Sequence, residues 1–170
     1  MPTNVEIKAI VHDVISLENI VRIMTKTDPI LLFQEDIFFN VPHGRLKLRI
    51  LSPDNGEIIF YDRPNQVGPK QSSYCKSEIS DPQGVKEALT KALGMKGVVR
   101  KTRKFYLYNQ TRIHIDDVEG LGNFLELEVM LKGNQNTKDG IEIAEDIMNQ
   151  LSIDRNDLVD LAYIDLISVP

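Results

Sequence analysis

The stretch from Thr111 to Leu131 alternates between polar and apolar side chains, with a break only at Gly120 and Gly122, and it constrains the fold more than any other part of the sequence. Because successive side chains of a strand point to opposite faces, the stretch predicts two half-buried strands joined as a hairpin. Glu126 and Glu128 share the polar face of the second strand. Two carboxylates at this spacing can reach one small hard cation such as magnesium, or they can simply line the solvated face of an antiparallel sheet.

The same alternation recurs along the chain and predicts further strands. These are Val5–Val11, Ile30–Asn40, Arg45–Leu51, Glu57–Arg63, Ser72–Ile79 and Val98–Tyr108.

Apolar residues at helical spacing separate several of these strands. The spacing predicts one helix with Ser16 as its N-cap, a second between Asp81 and Gly94, and a third whose apolar stripe runs from Ile141 to Leu151. The polar stretch 133–140 is predicted to be a loop, and residues 156–167 are predicted to pack back onto the domain. About eight strands, linked by turns or single helices, indicate an α+β fold: a closed eight-stranded antiparallel β-barrel with helices packed outside, or a strongly curled sheet.

Composition and charge narrow the class of protein. With 170 residues, 42% of them hydrophobic, and a net charge of -5, the chain is expected to form one globular domain over residues 1–170. It has no apolar run long enough to span a membrane and no export signal, and the single Cys75 fits a reducing, cytoplasmic setting. The acidic balance argues against a nucleic-acid partner. A monomer and a homodimer both stay open.

Six of the predicted strands carry charge on one face and aliphatic residues on the other. The basic residues of these faces are Lys8, Arg45, Lys47, Arg49, Arg63, Lys76, Lys101, Arg103 and Arg112, and the acidic ones are Glu6, Glu78, Asp116, Glu126 and Glu128. If the helices cover the aliphatic side from outside, the charged faces point inward around a wet lumen. So many cations in a closed space need a polyanion, and phosphate chains meet that need. The alternative is that the charged face of the sheet points to solvent and that its acidic and basic residues form salt bridges with one another.

Several short motifs, in order along nearly the whole chain, carry a resemblance to a known family. They are Asn4-Val5-Glu6-Ile7-Lys8, Gln34-Glu35-Asp36-Ile37-Phe38-Phe39, Lys47-Leu48-Arg49, Tyr61-Asp62-Arg63-Pro64, Val99-Arg100-Lys101-Thr102-Arg103, Glu119-Gly120-Leu121-Gly122, Glu126-Leu127-Glu128 and Tyr163-Ile164-Asp165-Leu166. In these motifs the sequence resembles the CYTH superfamily, the triphosphate tunnel metalloenzymes, which includes class IV adenylyl cyclases and thiamine triphosphatases. The resemblance implies an eight-stranded antiparallel tunnel.

The resemblance also implies roles for single residues. It assigns Mg²⁺ or Mn²⁺ binding to Glu6, Glu126 and Glu128. It assigns triphosphate binding to Lys8, Lys47, Arg49, Arg63, Lys76, Lys101 and Arg103. The catalytic residues it implies are Glu6, Lys8 and Asp116, of which Asp116 assists at the metal or at the attacking water. Asn4 stands where the family has its first carboxylate, and no clear counterpart is found for the late lysine of the family's triphosphatases.

Three functions are consistent with these residues. The first is a metal-dependent triphosphatase acting on tripolyphosphate or a small organic triphosphate. The second is a class IV adenylyl cyclase, in which the ribose 3'-hydroxyl replaces water as nucleophile. The third is a catalytically weak module that binds phosphate chains, for which Asn4 is the support. His12, His43 and His114 show no metal-ligand spacing, and His114 is interpreted as a hydrogen-bonding residue of the lumen.

Overall fold

Eight antiparallel strands close into a barrel in the computed structural model, which describes residues 3–62 and 66–168. The strands are β1 (Thr3–Ile10), β2 (Ile30–Phe39), β3 (Arg45–Ser52), β4 (Asn55–Asp62), β5 (Lys70–Ile79), β6 (Met95–Tyr108), β7 (Thr111–Val118) and β8 (Gly122–Met130). Their order around the barrel is β1, β5, β4, β3, β2, β6, β7 and β8, and β8 pairs with β1. The predicted closed eight-stranded barrel is therefore confirmed.

Helices lie between the strands and after them, so the predicted α+β class is also confirmed. They are α1 (Val14–Thr25), α2 (Pro82–Leu93), α3 (Thr137–Gln150) and α4 (Tyr163–Ser168), with a short 3-10 helix at Arg155–Asp157. Among the described residues, no helix is both long and apolar enough to cross a membrane.

Two predicted helix starts were wrong, and in each case the capping side chain explains the difference. The N-cap of α1 is Asp13, whose carboxylate accepts a hydrogen bond from the Ser16 amide, so Ser16 lies inside the first turn. Helix α3 begins at Thr137 because Asn136 and Asp139 form a reciprocal capping box. The predicted loop over residues 133–140 therefore ends earlier than its polar composition indicated.

The aliphatic residues of the strands face outward and are covered by the helices. Leu17 of α1 and Ile147 of α3 belong to one buried cluster with Ile7 and Leu127 of the barrel wall. A second cluster lies under α2, around Ile37 of β2. Each fully buried aliphatic side chain stabilises the fold by about 1.5–3 kcal/mol. Since this burial takes up the aliphatic faces, the charged faces of the strands line the interior.

The hairpin predicted from residues 111–131 is present as β7 and β8. The chain turns at Gly120 and Gly122, whose φ angles of 82° and 98° lie in the left-handed region that favours glycine. The register places His114 opposite Glu126 and pairs Glu126 in turn with Lys8 of β1. Residues directly opposite one another on paired strands point to the same face, so these three side chains all lie on the inner face of the barrel.

The segment after the 3-10 helix closes one end of the barrel. Leu158 forms a bridge with Ala9, and the Val159 amide donates a hydrogen bond to the Lys8 carbonyl. Further along, Tyr163 and Ile164 belong to a buried cluster with side chains from β2, β6 and β8. We call this the closed end; at the opposite end, which we call the open end, β1, β2, β4 and β7 begin.

Candidate functional site: a charged tunnel

The lumen is a polar cavity of about 140 Å³. Seven of the described residues that line it are lysine or arginine, and four are aspartate or glutamate. The cations are Lys8, Lys47, Arg49, Lys76, Lys101, Arg103 and Arg112, and the acids are Glu6, Asp36, Glu126 and Glu128. Exposure falls with depth: the side chain of Arg112 near the open end is 39% exposed, and that of Lys101 is 2% exposed.

Asp36 organises the cations on one wall of the tunnel. Its buried carboxylate accepts two hydrogen bonds from Arg49, at 2.8 and 2.9 Å, one from Lys101 at 2.9 Å and one from Lys47 at 3.2 Å. Burial opposes ionisation of Asp36, but these three cations outweigh it and hold its pKa well below the ordinary value. One carboxylate thus fixes three cations, and their excess positive charge stays available to an anion.

The excess charge is visible at Lys47. Burial, together with repulsion from Arg49, lowers the pKa of Lys47 to about 7, and the attraction of Asp36 offsets only part of this shift. Burial also lowers the pKa of Lys101, and the attraction of Asp36 again offsets only part of the shift. A buried group that is difficult to charge in the empty tunnel becomes easier to charge when an anion lies beside it.

Arg103 is held from behind by a second buried carboxylate. Asp116 accepts two hydrogen bonds of 2.8 Å from the Arg103 guanidinium and a third, also of 2.8 Å, from the Tyr163 hydroxyl. Asp116 is fully buried and is not among the residues that line the cavity. Both of its oxygens are therefore occupied in orienting Arg103, which in turn points a nitrogen at Glu126, 3.3 Å away.

Lys8 connects the closed end to the acidic side of the tunnel. Its ammonium group lies 3.4 Å from Glu126, donates a hydrogen bond to the Leu161 carbonyl and lies 3.7 Å from the centre of the Tyr163 ring. Burial opposes ionisation of Glu126, but Lys8 and Arg103 outweigh it and hold its pKa well below the ordinary value. Glu126 is therefore an anion throughout the physiological pH range.

Three donor groups converge on the opposite wall. Ligand atoms of His114, Glu126 and Glu128 all lie within 4.8 Å of one another. Burial, and then repulsion from Arg103, lowers the pKa of His114 well below its ordinary value, so the imidazole is neutral. Its Nδ1 is buried without a hydrogen-bond partner among the described residues. A neutral ring with an unused nitrogen is the form of histidine that binds metals.

Charge repulsion in this group also fits a cation. Burial raises the pKa of Glu128, and the nearby carboxylate of Glu6 raises it further. Glu6 is paired directly with Glu128 across β1 and β8, and Asn4, also on β1, has a buried side-chain oxygen with no hydrogen-bond partner among the described residues. Carboxylate and amide oxygens suit magnesium, and a mixed set that includes a histidine nitrogen suits manganese. The residues present therefore fit a divalent metal, which would relieve the repulsion.

The tunnel brings together most of the site residues predicted from the sequence. Lys76 lies near the open end, 43% exposed and 3.0 Å from Glu57. Arg45 shares the predicted face but lies at the closed end, where it donates a 2.6 Å hydrogen bond to Asp165. Arg63 lies outside the described residues.

The site prediction missed several residues of this region, among them Asp36, Lys70 and Tyr163. Asp36 belongs to a motif of the family resemblance but was not predicted as a site residue, although its alternation with Phe38 already placed it on the inner face. Lys70 lies just before the predicted start of β5, and it donates a hydrogen bond to the Asp160 carbonyl at the closed end. Tyr163 lies in a motif of the family resemblance, but alternation and helical spacing do not place it at the site, because only the tertiary fold brings α4 to the barrel.

Comparisons with known proteins agree with this architecture. Residues 2–163 match the family described as the CYTH domain. The chain belongs to the CYTH family. Members of this family, the triphosphate tunnel metalloenzymes, bind triphosphate substrates and use a divalent metal, and the enzymes among them are triphosphatases or adenylyl cyclases.

Three relatives of this CYTH chain differ in their sequence identity to it. A Methanocaldococcus jannaschii protein named "Putative adenylate cyclase MJ0240" is 31% identical over 147 residues, which are 79% of this chain and 81% of that protein. A Pyrococcus horikoshii structure superposes with a TM-score of 0.85 at 23% identity, covering 96% of this chain and 98% of its own. A Hippeastrum "putative adenylyl cyclase", described as having a dominant triphosphatase activity, superposes with a TM-score of 0.63 at 14% identity. The superposition covers 95% of this chain and 91% of the Hippeastrum chain. The two structures support the fold alone.

Proposed function

We propose that this CYTH protein is a Mg²⁺- or Mn²⁺-dependent triphosphatase that hydrolyses tripolyphosphate or a small organic triphosphate inside the tunnel. The observation that carries the proposal is the excess of cations over acids among the described residues that line the tunnel, seven against four, next to a separate group of metal-binding donors. An excess of buried positive charge costs stability unless an anion compensates it. A phosphate chain supplies that anion and is the ligand that arginine and lysine bind best.

Most of the proposed roles follow from position. Arg49, Lys47 and Lys101 neutralise the phosphate chain from the wall organised by Asp36, and Arg103 binds it from the adjoining wall. Lys8 adds positive charge beside Glu126. Asp116 is fully buried, does not line the cavity and accepts hydrogen bonds from Arg103 and Tyr163 on its two oxygens, so we assign it the task of orienting Arg103. Phosphoryl transfer depends mainly on such positioning and charge stabilisation.

The acidic wall has a different task in this proposal. Glu126, Glu128 and Glu6 would hold the divalent metal, with His114 as a further donor. When bound, the metal supplies Lewis-acid polarisation of a phosphoryl oxygen. The carboxylate of Glu6 can also accept a hydrogen bond from the attacking water and orient it toward the phosphorus atom. Mutual repulsion of these carboxylates in the empty protein makes the site select for a cation.

Adenylyl cyclase activity is the second candidate. It is favoured by the name of the 31% identical Methanocaldococcus jannaschii relative, and it would use the same cations and metal donors with the ribose 3'-hydroxyl as nucleophile. The third candidate is a module that binds phosphate chains without useful turnover, and its support is that Asn4 replaces a carboxylate of the family motif.

One experiment separates the three candidate functions: purified protein is incubated with Mg²⁺ or Mn²⁺ and either ATP or tripolyphosphate. Orthophosphate supports the triphosphatase, cyclic AMP with pyrophosphate supports the cyclase, and binding without turnover supports the module.

Asn4 provides a test of the metal site. Asn4→Glu should lower the metal concentration needed for half-maximal activity, because the added carboxylate balances more of the ion's charge than the neutral amide does. In the metal-free protein the same change should lower the melting temperature, since it adds a buried charge beside Glu6. Mn²⁺ should therefore raise the melting temperature of the variant more than that of the parent. Asn4→Gln, which stays neutral, is the matched control. Equal metal titrations for parent and Asn4→Glu would remove position 4 from the site.

The low pKa of Lys47 predicts a proton uptake on binding. At about pH 8 this lysine is mostly neutral in the empty tunnel, and a triphosphate beside it should restore its charge, so about one proton is taken up per ligand. At about pH 6 the lysine is already charged and no uptake is expected. Calorimetric titration in buffers of different ionisation enthalpy gives the proton number. Lys47→Arg keeps the charge at both pH values and corrects for protons of the ligand itself. Identical proton numbers for parent and Lys47→Arg at the higher pH would contradict the assignment.

A further inference from the structure

Strand β2 is paired on only one side over its first residues. The segment Ile30–Gln34 pairs with β6, whereas the register with β3 begins at Glu35. Within the described chain, no other strand lies in register with this segment. A strand that is unpaired on one side presents backbone N–H and C=O groups to which another strand can be added. We call residues 30–34 the β2 edge.

A groove separates the β2 edge from the end of β3. It has a volume of about 890 Å³, and it is lined by Phe33 and Gln34 from β2 and by Leu51, Ser52 and Pro53 from the end of β3 and the turn after it. From there the groove continues over the outer face of β6 and β7. The end of β3 therefore leaves space beside β2 in which a further strand can lie.

The side chains of the β2 edge are apolar and exposed. Ile30 is 58% exposed, Leu31 is 51% exposed and Phe33 is 66% exposed, and none of the three belongs to the buried clusters of the described chain. The segment contains no charged residue and no proline, which are the residues that keep exposed sheet edges apart in natural proteins. An exposed apolar edge without such protection indicates a strand partner.

The charges next to the β2 edge are already paired within the chain. On the outer face of the sheet, Glu35 forms a 2.9 Å ion pair with Arg100, and Lys104 of β6 pairs with Glu18 of α1. A strongly basic or acidic partner strand would find no unpaired opposite charge at these positions. An uncharged, apolar strand fits instead, and the β2 edge of a second copy of this chain is such a strand.

We propose that two copies of this chain form a two-fold symmetric dimer by pairing their β2 edges antiparallel to each other. In a two-fold interface each contact occurs twice, so the numbers of any two paired residues have the same sum. The register centred on Leu32 is the one that gives all five residues of the edge a partner. It sets Leu31 of each copy opposite Phe33 of the other, and Ile30 opposite Gln34.

The two Leu31–Phe33 pairs lie on the outer face of the joined sheet. This follows from the register, because Leu32 between them is paired with Arg103, which points into the tunnel. Apolar pairs directly across two strands stabilise a sheet. No residue of the β2 edge is among the described residues that line the tunnel, so the dimer does not depend on the proposed function.

Sedimentation equilibrium over a wide range of protein concentration tests the interface. The parent protein should be a dimer that dissociates on dilution. Phe33→Glu and Leu31→Lys each place two charges in the interface, so each should weaken dimerisation at least about 30-fold. Both positions are exposed, so thermal unfolding of the variants should match that of the dissociated parent. Ile15→Lys is the matched control, because Ile15 is 70% exposed and lies in the first turn of α1, near the closed end; it should leave the dimer intact.

An equimolar mixture of Phe33→Glu and Leu31→Lys tests the register. In the mixed dimer, the introduced lysine of one copy lies opposite the introduced glutamate of the other, and the second pair keeps its leucine and phenylalanine. The mixture should therefore dimerise more tightly than either variant alone, which misfolded variants could not do.

Four results would overturn the proposed dimer. A parent that stays monomeric at every concentration would leave the β2 edge to a strand of a different protein. A dimer that survives both variants would use another face of the molecule. An equal loss of dimer in Ile15→Lys would show that any added charge has the effect. A mixture that dimerises no better than its two components would rule out the antiparallel pairing of Leu31 with Phe33.

Discussion

Glu128→Gln is expected to reduce triphosphate turnover by at least about 100-fold, the upper range seen when a group that merely supports a metal ligand is removed. The same variant should melt at or above the parent temperature. Burial and the neighbouring Glu6 carboxylate already raise the pKa of Glu128, so its charge opposes folding when no metal is bound. Steady-state phosphate release at saturating Mg²⁺ and thermal unfolding in EDTA are the two measurements.

Glu126→Gln should lose turnover to a similar extent but should also melt at a lower temperature. Lys8 and Arg103 hold the pKa of Glu126 well below its ordinary value, which means that the charged form stabilises the fold. Glu119→Gln, an exposed change in the turn of the same hairpin, is the matched control and should affect neither quantity. Near-parental rates in both tunnel variants would show that these carboxylates do not bind the metal.

The second large effect is expected at Asp36. Asp36→Ala should destabilise the protein by about 3–5 kcal/mol, because it leaves buried cations without their shared partner. Arg49 alone loses two hydrogen bonds, and Lys101 loses its 2.9 Å contact. Denaturant unfolding measures the loss. Added tripolyphosphate should restore much of the stability, because a bound anion replaces the missing carboxylate.

The Asp36→Ala experiment has a matched control and two results that would contradict the prediction. Asp117→Ala is the matched control, since Asp117 is an exposed aspartate that pairs with Thr102 on the neighbouring wall. It should change the stability little. If Asp36→Ala were as stable as this control, the cations around Asp36 would not depend on it. If tripolyphosphate failed to stabilise the variant, those cations would not be the phosphate-binding wall.

The sequence alone predicts which face of each strand enters the tunnel, because that depends only on alternation. The positions of Lys47, Arg49 and Glu128 follow from this rule, and the structure places all three on the cavity wall. Alternation cannot tell which charges are partners. Arg45 has the same pattern as Lys47, yet it meets Asp165 at the closed end, because pairing depends on how far along the barrel each residue lies.

The role of Asp116 shows the same limit more clearly. It shares a strand face with His114, and the family resemblance implies that it assists at the metal or at the attacking water. The fold instead brings Arg103 and Tyr163 to its two oxygens from other elements, one of them 47 positions further along the chain. Periodicity contains no information about such a distant partner. It also does not reveal His114 as a candidate ligand, because alternation gives the face of a side chain but not the register that sets His114 opposite Glu126.

The contact between Lys8 and the segment that closes the tunnel has a consequence for synthesis. The first strand pairs with the last, and Lys8 then needs Leu161 and Tyr163 to complete its surroundings. A chain emerging from the ribosome can pair β1 with β5 early, but β1 pairs with β8, and Lys8 contacts Leu161 and Tyr163, only after those later residues have been translated. Contacts of such long sequence separation slow folding and expose strand edges during the delay. The tunnel should consequently close late, when β8 and the segment around Leu161 and Tyr163 are in place.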